Sequence, residues 1–400
     1  MPATDVLIVG SGLVGSAAAW HLARGGARTL LIDRSYPNAG ASGQNAGSLH
    51  FQIERRFLEH GERLADEAAA IASVSRLAVE EWRGLEAALG ADLHVRQDGG
   101  FMVAETAAEV ALLERKVARE QAAGLGTVLL DGAEARALAP YLSPAIVAAA
   151  FLADEGHADP RSITPAFVRA ATAAGTDFRP ETSLTALERL PHGGFRATLA
   201  GRDGRHDIVR ADIVLAAAGA WTPAVGMLAN LHLPLFPVAL MMNATERSAP
   251  FLPHLVQHVG QRLSMKQTHS GNVLIGGGWP ARLRRDAQGR FDPGLRPERI
   301  EASLTANLRV AVRVVPEVAD LNLIRNWTGV TAITSDQLPL LGEVPRLPGF
   351  YVAAGGSAFT LGPTFGRIVA GAILGRAAPG SEAAAILSPA RFEHLNGFMG

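Results

Sequence analysis

The chain has 400 residues, 48% of them hydrophobic and 19% charged, and its 37 basic and 38 acidic residues leave a net charge of −1. Charge this balanced carries no electrostatic footprint for a nucleic-acid partner or an anionic membrane surface. Cysteine is absent, which excludes disulfides, thiolate metal sites and cysteinyl attachment of a cofactor within the chain. The length suits two or three units of about 150 residues each, and interleaved units fit equally well. Only Lys116 and Lys266 are lysines, so Schiff-base chemistry has two candidates. Val6 to Ala23 carries no Asp, Glu, Lys or Arg and is long enough to raise the question of a membrane helix. Gly10, Gly12, Gly15 and His21 interrupt it, and no basic stretch precedes it. The expectation is a soluble, cytoplasmic protein with no integral membrane segment.

Asp5 to Val9 is a short β-branched run and reads as a buried strand. Gly10-Ser11-Gly12-Leu13-Val14-Gly15 follows at once, and the alanine-rich stretch from Ser16 to Arg24 reads as a helix stopped by Gly25 and Gly26. A second apolar run, Thr29 to Ile32, ends in Asp33, with Arg34 next. Strand, glycine turn, helix, strand and acid in this order form a dinucleotide-binding pattern. Gly10 permits the tight turn, Gly12 lets backbone approach a pyrophosphate, and Gly15 lets helix and strand pack closely. Asp33 stands where a carboxylate accepts hydrogen bonds from a ribose diol. These residues alone do not separate FAD from NAD.

The next segment, Ala41-Ser42-Gly43-Gln44-Asn45-Ala46-Gly47-Ser48, is small, polar and aperiodic, and reads as a loop whose backbone approaches a ligand. At this point the sequence resembles the FAD-dependent D-amino-acid oxidase superfamily. Within it the likeness is greatest to the glycine and sarcosine oxidase-like branch and to the flavin subunits of opine oxidases and of hydroxyproline or proline dehydrogenases. The resemblance implies a loop that carries Ala41, Ser42, Gln44, Asn45, Ala46 and Gly47 past the diphosphate towards the flavin ring. The residue types alone also fit a plain surface loop.

Further on, Glu62 to Leu89 and Glu109 to Ala123 are predicted helices, and Val95 to Ala104, with Gly99-Gly100, is a predicted hairpin. Asp159-Pro160 opens a helix over Ser162 to Ala174, and Leu184 lies on the strand after it. Asp212 to Ala216 is a buried strand running into Ala217-Ala218-Gly219-Ala220-Trp221. The resemblance places Ala218, Gly219 and Trp221 against the dinucleotide and the backbone of Leu184 against its adenine. Leu263 to Thr268 and Asn272 to Trp279 are two predicted antiparallel strands, and Pro297 to Val314 is a helix.

Arg325 to Gly342 fits the superfamily's pattern of Trp327, Gly329, Thr334, Asp336, Leu338, Pro339 and Gly342. Phe350 to Gly356 is a strand running into glycines, and Ser357 to Pro363 opens a helix over Thr364 to Leu374. By the resemblance, Gly355, Gly356, Ala358, Phe359, Thr360 and Leu361 bring that helix N-terminus to the flavin, where its N–H groups favour negative charge. The implied fold is α/β: a Rossmann-type FAD-binding domain (1–90, 155–230 and 325–400) interleaved with an antiparallel-sheet substrate domain (91–154 and 231–324). Non-covalent FAD is expected, as is C–N bond oxidation of an amino acid or secondary amine by hydride transfer to the flavin.

Thr331 stands where glycine oxidase-like members carry an arginine for the substrate carboxylate, and a hydroxyl supplies no charged bidentate contact. This departure favours a larger, N-substituted substrate held by another arginine. Arg282, Arg284 and Arg285 are alternatives, each more simply a solvated loop charge. His50 and Gln52 are candidate substrate contacts beside Thr331. Lys266 reads as a surface lysine or as a cation that promotes oxygen reaction. Trp279 and Trp327 read as core. The twelve histidines show no ligand spacing, so no metal is expected. The opine oxidase-like likeness implies electron transfer to a partner subunit or another acceptor rather than efficient oxygen use. An NAD-dependent dehydrogenase, and a flavin-binding relay subunit without a substrate site of its own, remain alternatives.

Overall fold

The computed structural model describes residues 2–59, 61–376 and 379–399. Among them are two eight-stranded sheets and one two-stranded sheet. The first sheet runs Leu340–Glu343, Phe350–Ala354, His206–Ala216, Ala3–Val9, Thr29–Ile32, Asp177–Arg179, with Phe195–Gly201 pairing off His206–Ala216 and Thr182–Arg189 pairing with Phe195–Gly201. The four junctions from Phe350–Ala354 to Asp177–Arg179 are parallel. Leu7, Ile8, Leu31 and Ile32 are fully buried, as strands covered on both faces require. The Leu13–Arg24 helix packs on one face between the Pro160–Ala173 and Gly362–Ile373 helices, burying Ala17, Ala18, Ala19 and Leu22.

The second sheet runs Leu323–Ile333, Phe236–Arg247, Asn272–Gly276, Ser264–Gln267, Leu255–His258, Gly100–Ala104, Ala148–Leu152, Val128–Asp131. Its pairs are antiparallel except Leu255–His258 with Gly100–Ala104, which is parallel. Two expectations change here. Residues 95–104 do not form a hairpin: Arg96 bridges His157, and Gly100–Ala104 pairs with two distant strands. Residues 325–333, expected in the nucleotide unit, lie on the Leu323–Ile333 edge strand of the second sheet, in continuous register with Phe236–Arg247. Val330 and Ala332 still bury against the first sheet's core, so one strand serves both layers.

Behind the second sheet lies a charged network with no access to solvent. Lys116 and Glu120, one turn apart on the Ala107–Ala122 helix, pair at 2.8 Å with both side chains fully buried. Lys116 Nζ also donates to Gln52 Oε1 at 2.6 Å. The Gln52 backbone and side-chain amides donate to the Glu155 carboxylate at 2.9 and 2.7 Å. Such a network is tolerated because nearly every lone pair and proton in it finds a partner.

Candidate active site

A cavity of about 1320 Å³ lies between the two large sheets. That exceeds the roughly 300–1,000 Å³ of ordinary small-molecule pockets and suits a dinucleotide plus substrate. Its floor starts at the first strand. Gly10 has φ +109°, and a Cβ there would sit 2.6 Å from the Ala217 carbonyl oxygen. Only glycine serves at such a position. Gly12 is the N-cap of the Leu13–Arg24 helix and offers no side-chain cap, so the helix end turns bare backbone to the cavity. Ser42 Oγ accepts the Leu13 N–H at 3.0 Å, tying the 41–47 loop to this helix end.

Asp33 Oδ2 accepts the backbone N–H and hydroxyl of Ser11, and Oδ1 accepts the Ser35 N–H. The carboxylate is thereby held on the wall with acceptor capacity to spare. Arg34 stacks over Trp221 at 4.0 Å. Trp221 Nε1 is buried with no partner among the described residues, although its side chain lines the cavity. An orphaned donor on a glycine-floored cavity of this size fits a polar, extended ligand such as FAD.

Of the expected cofactor contacts, Gly10, Gly12, Leu13, Val14, Asp33, Arg34, Ala41, Ser42, Gln44, Asn45, Ala46, Leu184, Ala218, Gly219, Trp221, Gly355 and Ala358 line this cavity. Ser11, Gly15, Gly47, Gly356, Phe359, Thr360 and Leu361 stand behind the wall. Gly47 packs on Ala158, and Gly356 faces the Arg56 guanidinium. Thr360 accepts the His50 N–H through Oγ1 and the Trp82 indole N–H through its carbonyl.

Thr331 lines the cavity; His50 and Gln52 do not. His50 bonds to Ser264 Oγ at 3.0 Å, and burial keeps its imidazole below the usual pKa. Gln52 is wholly committed to Lys116, Glu155 and Gly100. Arg282 and Arg284 flank Glu298, and Arg285 stacks on Phe291; none reaches the wall. Trp327, expected in the core, is half-buried on the wall, whereas Trp279 bonds to the Arg262 carbonyl away from it.

Lys266 departs furthest from expectation. It is 2% exposed, lines the cavity, and among the described residues its Nζ has only the Ala158 carbonyl, at 3.5 Å. Burial drives its pKa well below the ordinary lysine value, towards the neutral amine. His157 beside it is pushed down to about 2, by burial first and then by Lys266, His269 and Arg96. Arg161, Arg296 and Arg325 on the wall were also not anticipated from sequence.

Arg325, Ala244, Leu274 and Lys266 are register partners on four neighbouring strands, Arg325 with Ala244, Ala244 with Leu274, and Leu274 with Lys266. Cross-strand partners share a face, and all four line the cavity. They form a row roughly 14 Å long, at about 4.8 Å per strand. A guanidinium stands at one end, apolar side chains in the middle and a lysine amine at the other.

The family model described as FAD dependent oxidoreductase matches residues 5–372. The chain belongs to that family. It is therefore an FAD-dependent oxidoreductase, and the glycine-floored cavity is where the residues fit the cofactor. An opine oxidase subunit of Rhizobium meliloti is 26% identical over 370 residues, covering 92% of each chain. Glycine oxidase of Geobacillus kaustophilus (strain HTA426) is 27% identical over 370 residues, again 92% of each. Among solved structures, L-proline dehydrogenase from P. horikoshii superimposes with a TM-score of 0.82 at 22% identity, covering 98% of this chain and 99% of its own. That likeness shows a shared fold. No helix among the described residues is long and apolar enough to cross a membrane.

Proposed function

We propose that the enzyme dehydrogenates an amino acid carrying a substituted nitrogen, of the opine, proline or sarcosine type, at its C–N bond. The row from Arg325 to Lys266 carries this reading. The Arg325 side chain makes no ion pair or hydrogen bond among the described residues, so its guanidinium can bind a substrate carboxylate bidentately. Ala244 and Leu274 give the substrate's carbon skeleton an apolar floor. Bound FAD supplies the two-electron acceptor for a hydride leaving the carbon next to nitrogen. The nitrogen lone pair becomes the second C–N bond of the product, which forms as the N-protonated imine, so the amine must be unprotonated. Lys266, whose pKa burial lowers, lines the same wall and is the group placed to accept the ammonium proton at Nζ. Water then hydrolyses the imine.

The opine oxidase relative is one subunit of an assembly, and a partner subunit that accepts the electrons is part of the proposal. The flavin is held non-covalently, as the absence of cysteine and the lack of a flavin-loop histidine suggest, and acid precipitation releases all of it. Anaerobic titration with D-amino acids, sarcosine, proline analogues and opines tests the substrate class. Bleaching by N-substituted amino acids, with reoxidation faster by dye than by oxygen, is the expected result. Failure of every amine to bleach the flavin overturns the reading, and rapid reoxidation by oxygen overturns the dehydrogenase assignment. Arg325→Gln raises KM at least tenfold with a smaller change in kcat.

A further inference from the structure

Three segments far apart in sequence run side by side at one edge of the cavity. The Asp159 N–H donates to the Leu93 carbonyl at 2.8 Å, and Arg96 and His157 exchange backbone hydrogen bonds at 2.8 Å each. Residues 93–97 therefore lie antiparallel to 155–159. The turn between the Ser264–Gln267 and Asn272–Gly276 strands, residues 268–271, lies against them through the ring of His269. His94 and His269 stack with centroids 3.8 Å apart and planes inclined by 21°. A ligand atom of each, and a carboxylate oxygen of Asp159, all lie within 4.8 Å of one another. Asp159 and His269 also line the cavity.

Two further features bear on this cluster. His94 has φ +53°, a left-handed conformation that a side chain such as histidine seldom adopts and that persists where surrounding structure enforces it. Its Nδ1 lies 3.2 Å from Asp92 Oδ1, an oxygen that accepts the His94 backbone N–H at 2.8 Å, so the imidazole is kept beside a carboxylate. Competing with a cation is Arg161. Its Nε and terminal amino group donate to both Asp159 oxygens, at 2.8 to 3.2 Å. The Arg161 side chain is 73% exposed, so it can swing into solvent at small cost.

We propose that His94, Asp159 and His269 form a divalent transition-metal site at the mouth of the cavity, of the two-histidine, one-carboxylate kind that takes Zn²⁺ and leaves an open position. Two imidazoles and one carboxylate suit zinc over magnesium, which prefers an all-oxygen octahedral shell. The ligand atoms need to draw in by about 1 Å to reach bond lengths near 2.0–2.2 Å, and the two rings must also turn out of their stacked, near-parallel arrangement so that their in-plane lone pairs converge on one ion. A cation there joins the nucleotide layer, through Asp159, to the substrate sheet, through His269. It narrows the passage to the cavity without touching the dinucleotide floor. Zinc then acts as a reversible brake on substrate entry.

The test uses the flavin-loaded protein after dialysis against chelator. Zinc chloride is titrated by calorimetry, with magnesium chloride alongside. The expected result is saturable uptake of one zinc per chain, no saturable uptake of magnesium, and at least tenfold weaker zinc binding by the His94→Ala/His269→Ala double variant. Arg161→Ala, which removes the competing cation and no ligand, binds zinc at least threefold more tightly than the unaltered protein. Zinc at saturating level slows anaerobic flavin bleaching by substrate in the unaltered protein and not in the double variant. No saturable zinc uptake, undiminished uptake by the double variant, or weaker uptake by Arg161→Ala overturns the site. Equal bleaching rates with and without bound zinc overturn the brake.

Discussion

Trp327 donates its indole N–H to the backbone carbonyl of Gln44 across 2.7 Å. The donor sits on the edge strand of the second sheet and the acceptor on the loop beside the nucleotide-binding helix end. One hydrogen bond thus joins the two halves of the cavity wall.

Trp327→Phe keeps most of the packing and removes only that bond. A partly buried hydrogen bond contributes about 1 kcal/mol, so flavin affinity falls roughly fivefold while secondary structure is unchanged. Fluorescence of flavin released on serial dilution reads this directly, and an unchanged dissociation constant refutes the role given to Trp327.

Two glycines of the same turn separate folding from binding. A methyl at position 15 runs into the Gly10 carbonyl oxygen, a backbone atom that cannot move aside cheaply. At position 12 it meets only Ser42 Oγ, at 3.2 Å. Gly15→Ala therefore lowers the apoprotein's melting temperature markedly. Gly12→Val gives folded protein that retains no flavin. Thermal unfolding of the two apoproteins, compared with their flavin content as purified, distinguishes the two effects.

Lys116→Met leaves Glu120 buried without its ammonium partner. Breaking one side of a buried ion pair costs about 3–5 kcal/mol. Replacing both, as Lys116→Met with Glu120→Leu, removes the stranded charge and costs clearly less than the single change. Urea unfolding midpoints of the two variants decide the matter.

Burial pushes Glu155 up to about 7 from an ordinary value of 4.5, against the lowering pull of its Gln52 hydrogen bonds and Lys116. The folded protein keeps this proton where the unfolded chain releases it. Its stabilising contribution is full below pH 4.5 and lost as pH rises through 7, a change of about 3 kcal/mol. His21 and His157, depressed to about 4 and about 2, work the other way and cost stability as pH falls below 6.5. Buried Lys266, also depressed, has the same sign as these histidines. The difference between the unaltered protein and Glu155→Gln isolates the carboxyl. That difference shrinks from pH 4.5 to 7.5 if the proton is held, and stays flat if it is not.

The dinucleotide half was legible because its signal is local. Gly10, Gly12, Gly15 and Asp33 are spaced by one turn, one helix and one strand, and local geometry dictates each of them. The 41–47 loop was legible through the resemblance. The substrate wall was not, because cross-strand partners build it. Arg325, Ala244, Leu274 and Lys266 share a row only once the register of four strands is set. Lys266 misled because all four residues of Ser264–Gln267 are buried, which erases the alternation that marks an outward lysine. His50 and Gln52 misled for the opposite reason: they follow the flavin loop closely in sequence, but the chain turns inward there. The signal for Gln52 lay in Lys116 and Glu120, an ion pair spaced by four on an otherwise apolar helix face.

The first strand, Ala3–Val9, and its neighbour His206–Ala216 are separated by some two hundred residues of chain, and Phe350–Ala354 closes the same parallel run. The glycine turn after the first strand supplies only one side of the cavity. Ala217 and Ala218, which form its far side, follow the second of these segments, and Gly355 and Ala358 follow the third. Parallel pairing over such separations is slow, and no partial chain encloses the cavity. Retained flavin therefore reports that all three distant segments have paired, not merely that the glycine turn has formed.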